Sequence, residues 1–184
     1  MKAVMISIQP KWCKLITSGK KTIEVRKTRP KIDTPFKCYI YCTKGKENEK
    51  TCFGKYTCHI GNGKVIGYFV CDRITDISVV VRNCNEDYNH IYHNDECKGS
   101  CLTWKELQEY GKGKTLYAWH ISDLVIYDKP RDIGEFLCKC NKKYCTGCED
   151  FCDEGETSFR MCGGLKAVTS PPKSLCYVED LEEY

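Results

Sequence analysis

No stretch of this sequence is apolar over the roughly 18 residues that a membrane-spanning helix needs. The N-terminus, MKAVMISIQP, has one Lys and a short β-like run, and it lacks the long apolar core of a secretory signal. Both absences point to a cytoplasmic protein with no membrane partner. There is no internal repeat and no heptad pattern, which argues against solenoids and coiled coils. Acidic residues are scarce at one end. Residues 1–31 hold nine Lys and Arg against a single acid, Glu24, so on a chain of net charge +4 the remainder is net negative. A basic segment on a nearly neutral protein suits an anionic partner.

Cysteine, by contrast, is abundant, with 16 in 184 residues. Without an export signal, such cysteines are better read as reduced core thiols and metal ligands than as disulfides. Cys38 and Cys42 sit at alternate positions of a strand-like run and read as small buried hydrophobes. A different pattern occupies residues 138–162, where Cys138, Cys140, Cys145, Cys148, Cys152 and Cys162 crowd together. Cys145-Thr146-Gly147-Cys148 is knuckle-like, and a segment so poor in apolar residues needs a staple to fold. The expectation is one structural zinc on Cys138, Cys140, Cys145 and Cys148, with Cys152 and Cys162 as alternates. His90, His93, Cys97 and Cys101 form a second, sparser set of suitable ligands.

Ala3–Ile8 reads as a strand. Pro10 then opens a short helix at its favoured first position, Trp12, Leu15 and Ile16 make one apolar face, and Gly19 stops it. Lys21–Lys27 returns as a strand with Ile23 and Val25 on one face and Thr22, Glu24 and Arg26 on the other, neighbours on a face standing about 7 Å apart. Phe36–Thr43 alternates, placing Phe36, Cys38, Ile40 and Cys42 together. Residues 44–63 read as loop. Lys64–Val81 is β-rich with a bend near Asp72, and residues 82–100 are polar and irregular. Thr103 to Glu106 is a capping box, stapled by Leu102 and Leu107, for a helix ending near Tyr110. Leu116–Tyr127 is a strand pair or one bent strand, and Leu175–Val178 is a last strand. The fold class is therefore α+β, with many strands and a few short helices. The expected architecture is a closed or nearly closed small β-barrel of residues 1–137 plus 170–184, carrying the Pro10 helix at one end and a cysteine-rich insert at 138–169.

Gly19-Lys20-Lys21-Thr22-Ile23-Glu24-Val25-Arg26 fits the pattern G-x-K-x-x-E-x-R. Chemically, a Lys at a helix–strand junction with an Arg two residues beyond a Glu sets a donor fork beside an acceptor. Such a set can hold phosphate while the carboxylate accepts from a base amino group. Gly19, Lys20, Lys21, Glu24, Arg26 and Arg29 are the candidate binding residues. Trp119 is the preferred stacking platform, ahead of Trp12, Tyr39, Tyr41 and Tyr68.

This motif, in its strand–Pro–helix–Gly–Lys–strand setting, resembles the ASCH domain family of the PUA-like superfamily. Gly63-Lys64-Val65-Ile66-Gly67, Cys71-Asp72-Arg73-Ile74, Tyr117-Ala118-Trp119-His120-Ile121-Ser122-Asp123-Leu124 and Pro171-Pro172-Lys173-Ser174-Leu175-Cys176-Tyr177-Val178 are similar to later parts of short ASCH proteins of bacteria and their phages. The resemblance implies a PUA-like barrel that binds RNA or a nucleotide, in the host cytoplasm if phage-encoded. It also implies two alternatives: a hydrolase, either an amidohydrolase on N4-acylcytidines or a ribonuclease, and a protein-interaction module of phage–host conflict. In the amidohydrolase branch a Lys and a Thr act with a later carboxylate. The Lys matches Lys21, but Glu24 stands where the Thr belongs, leaving Thr22 nearby and Asp72 as the candidate carboxylate.

Overall fold

The computed structural model describes residues 2–45, 50–53, 57–60, 63–77, 95–140 and 164–181, with residues 2, 50–53, 57–60 and 95–97 in backbone only. Strand β1 (Lys2–Ile8) leads into helix α1 (Pro10–Thr17), followed by β2 (Ile23–Arg26) and β3 (Phe36–Cys42). A hairpin of β4 (Lys50–Phe53) and β5 (Thr57–Ile60) lies in the stretch expected to be loop. Next come β6 (Lys64–Cys71) and β7 (Ile74–Ile77), broken apart at Asp72 and Arg73, and then α2 (Asp95–Ser100) in the stretch expected to be irregular. Helix α3 (Trp104–Gly111) precedes β8 (Leu116–His120) and β9 (Ser122–Arg131). The remainder is β10 (Leu137–Lys139), β11 (Leu165–Ala167) and β12 (Leu175–Glu179). No helix among the described residues is long and apolar enough to cross a membrane.

The strands do not close into a barrel, and that expectation is corrected here. Five form one sheet in the order β12-β1-β3-β6-β9, and three form another in the order β2-β8-β7. Closure requires an unbroken hydrogen-bond ladder around the ring. Here two near-continuous strand runs cross from one sheet to the other at breaks, the Asp72-Arg73 kink and Ile121 between β8 and β9, and no ladder between described strands joins the two sheets across them. The breaks are bridged singly: His120 N–H donates to Arg73 O (3.1 Å) and Ile121 N–H to Thr22 O (2.9 Å).

Alternation along β3 sets the layers. Phe36, Cys38, Ile40 and Cys42 face a core shared with Ile6 and Ile8 of β1, Phe69 of β6 and Trp119 of β8. Helix α1 drops Cys13 and Ile16 into the same core, so it caps the space between the sheets. Tyr39 and Tyr41, on the other face of β3, join Met5, Phe136 and Val178 in a second core. The five-stranded sheet is thus covered on both sides. A third core places Ile23, Val25, Leu116 and Ala118 against Leu107 of α3. Thr103 caps α3, its hydroxyl accepting from Glu106 N–H (3.3 Å), and Glu106 accepts from Thr103 N–H (2.8 Å), so the expected capping box is present.

Candidate functional site

Gly19 creates the site's geometry. It has φ +72°, a conformation glycine adopts without penalty, and Lys20 and Lys21 N–H both donate to Leu15 O (3.0 Å each). This turn ends α1 and delivers the chain into β2, which runs antiparallel to β8 with Glu24 opposite Trp119 and Arg26 opposite Tyr117. Directly opposed residues share a face. Glu24 and Arg26 therefore point between the two sheets with Trp119 and Tyr117, while Ile23 and Val25 turn to α3.

Lys21, Glu24 and Arg26 converge there. Lys21 Nζ is 3.5 Å from Glu24 Oε2, and Arg26 Nη1 is 3.4 Å from Glu24 Oε1. Only 2%, 9% and 11% of the Lys21, Glu24 and Arg26 side chains are exposed, so the group is largely buried. Lys21 also donates to Ser100 O at the end of α2 (2.6 Å). Arg26 donates to Ser7 O (3.2 Å) and to Ser174 O, tying β2 to β1 and to the segment before β12. Burial pushes the Lys21 ammonium below its ordinary value, against the opposing pull of Glu24. The half-buried Trp12 ring lies alongside, with Lys11 Nζ 4.4 Å and Lys21 Nζ 5.2 Å from its centre. Two cations thus face one carboxylate in the layer between the sheets, next to an aromatic surface.

The model of the ASCH domain matches residues 6–127. The chain belongs to the ASCH domain family. The crystal structure of ASCH from Zymomonas mobilis is similar at TM-score 0.50 and 21% identity, over 71% of this chain and 73% of that one. A single-residue variant of the same Zymomonas mobilis protein is similar at TM-score 0.50 and 21% identity, over 72% of this chain and 77% of that one. No curated protein matches the sequence.

Within this ASCH domain the remaining candidates are dispersed. Lys20 and Arg29 are exposed. Thr22 is exposed and its hydroxyl sits on Gly99, so tightly that a Cβ at Gly99 would lie 2.5 Å from it. Trp119 is 0% exposed and meets Phe36 edge-on at 5.6 Å, so it presents no face to a base, a correction to the sequence reading. Trp12 is partly buried instead: it packs against the first core from α1, while Cys13 and Ile16 of the same helix are fully buried in it. Asp72 bonds to His120 Nδ1 (2.6 Å), and the carboxylate beside Lys21 is Glu24. Alternation alone did not signal this His120–Asp72 pair or the Ser100 carbonyl, because each depends on contacts between segments far apart in sequence.

The cysteine-rich segment begins beyond the matched residues. Cys138 is half-buried on β10 and Cys140 is fully buried, with its N–H on Gly164 O (2.8 Å), so the chain leaves at 140 and returns at 164 side by side. Cys145, Cys148, Cys152, Cys162, His90 and His93, and the Cys97 side chain, lie outside the described residues. Cys101 is half-buried, its thiol donating to Lys20 O (3.3 Å). Among the described residues no three His, Cys, Asp or Glu side chains gather closely enough to hold a metal ion.

Proposed function

We propose that this ASCH domain binds RNA or a nucleotide at the mouth between its sheets. The observation that carries the reading is the convergence of Lys21, Glu24 and Arg26 beside the partly buried Trp12. An ammonium has three donors. Ser100 O and Glu24 take two from Lys21, leaving one for an acceptor on a base or phosphate above Trp12. Trp12 supplies the stacking surface, and exposed Lys11, Lys14, Lys20 and Arg29 supply sequence-independent phosphate contacts. Arg26, held by two backbone carbonyls and Glu24, acts chiefly by fixing that carboxylate and the Ser174 segment.

The test is a titration of a panel of single-stranded RNAs and nucleotides against the parent, Trp12→Ala and Lys21→Met. Stacking is worth about 1–3 kcal/mol per base, so Trp12→Ala should weaken binding roughly 5- to 150-fold. Equal binding by all three proteins would refute the site. No binding by a folded parent to any member would refute the function.

A further inference from the structure

A cavity of about 430 Å³ opens along the edge strand β12, and none of Lys21, Glu24 or Arg26 lines it. Its walls include Cys138 and Lys139 of β10, Cys176 and Tyr177 of β12, and Lys31 from the loop after β2. Both cysteines are half-buried free thiols. Cys176 opposes Met5 in the β1–β12 ladder and so shares its face. Met5 belongs to the second core, and Cys138 packs on that same core from β10. Two cysteines from strands about 40 residues apart in sequence thus pack on one core and line one cavity.

We propose that Cys138 and Cys176 form a redox-active dithiol that closes to a disulfide with hydrogen peroxide. The Cys138 sulfur attacks one peroxide oxygen, the O–O bond breaks, and the departing oxygen takes up the Cys138 thiol proton and leaves as water past Lys31 and Lys139, giving the sulfenic acid. The Cys176 sulfur then attacks the Cys138 sulfur. The S–O bond breaks, the S–S bond forms, and the Cys176 proton leaves with the hydroxyl as water. Overall two thiols are oxidised and one peroxide is reduced to two waters.

The bond would tie β10, where the chain departs at Cys140 and returns at Gly164, to an edge strand that follows directly from the Ser174 contact with Arg26. It also assigns Cys138 to Cys176 and removes it from any zinc set.

The experiment treats the reduced full-length chain with stoichiometric hydrogen peroxide, blocks remaining thiols by alkylation and maps the peptides by mass spectrometry. The expected result is a Cys138–Cys176 peptide that disappears on reduction with dithiothreitol. In Cys176→Ser, Cys138 should instead be captured as sulfenic acid by dimedone. Three results would overturn the proposal: both cysteines still alkylated after peroxide, Cys138 joined to a different cysteine, or Cys138 shielded from alkylation until a chelator is added. The parent's peptide map decides the matter even if the variant folds poorly.

Discussion

Replacing Glu24 by Gln removes the carboxylate from between two buried cations and leaves the shape nearly unchanged. Removing one partner of a buried ion pair costs about 3–5 kcal/mol, because an uncompensated charge stays behind. Solvent offers little relief, since Lys21 and Arg26 side chains are 2% and 11% exposed. Some compensation remains: Lys21 keeps Ser100 O, Arg26 keeps the carbonyls of Ser7 and Ser174, and Gln retains one acceptor oxygen. The low end of the range follows, about 3 kcal/mol. For a chain of this size that is a fall in Tm of roughly 6–12 °C, and urea denaturation should show it as a lower midpoint at unchanged slope. The pH dependence has a fixed sign. Burial lowers the Lys21 value below 10.5 in the folded chain, so the unfolded chain binds more protons in between and the Lys21 contribution to stability rises with pH there. Glu24 opposes that lowering, so in Glu24→Gln the rise should begin at lower pH than in the parent. In a double-mutant cycle, Lys21→Met and Glu24→Gln should be non-additive by about 1 kcal/mol or more. A Glu24→Gln protein within about 0.5 kcal/mol of the parent, or strict additivity, would refute the account of the buried centre.

Three further outcomes are expected. Lys20→Ala and Arg29→Ala should each weaken RNA binding modestly and reduce the salt slope by about one, read from titrations at several salt concentrations. An unchanged slope would place the phosphates elsewhere. Gly67→Ala should destabilise by about 3 kcal/mol in urea, because its Cβ would lie 2.1 Å from Val125 O, a backbone atom that a rotamer change does not move. Elemental analysis of the purified protein should find about one zinc, removed by chelation with loosening of the 138–162 segment in proteolysis. Metal-free protein with that segment resistant to protease would end the zinc reading.

How much of this was legible depended on how local the determinants are. Pro10 opens α1, Gly19 ends it, and the Thr103–Glu106 box starts α3, each within a few residues of the feature it controls. Alternation in Phe36–Cys42 likewise identified its core face. The barrel was not legible, because closure depends on which distant strands share a ladder. β1 takes β12, some 170 residues on, as one neighbour, and the sheet changes at Ile121 leave no mark in periodicity. The same cause hid the burial of Trp119. The face of α1 that Trp12 shares with Leu15 is only partly covered, whereas Trp119 lies under Phe36 from the other sheet. At the binding centre the residue types and their shared face were readable from G-x-K-x-x-E-x-R. Their burial was not, since α2 and the Ser174 segment supply the cover from elsewhere in the chain.

The most direct measurement is photocrosslinking of a 4-thiouridine-substituted RNA to the full chain, with the attached peptide identified by mass spectrometry. The account predicts attachment within residues 11–21, at or beside Trp12, competed by unlabelled RNA and reduced in Lys21→Met. Attachment confined to residues 138–169, or an undiminished yield at 11–21 in Lys21→Met, would contradict it.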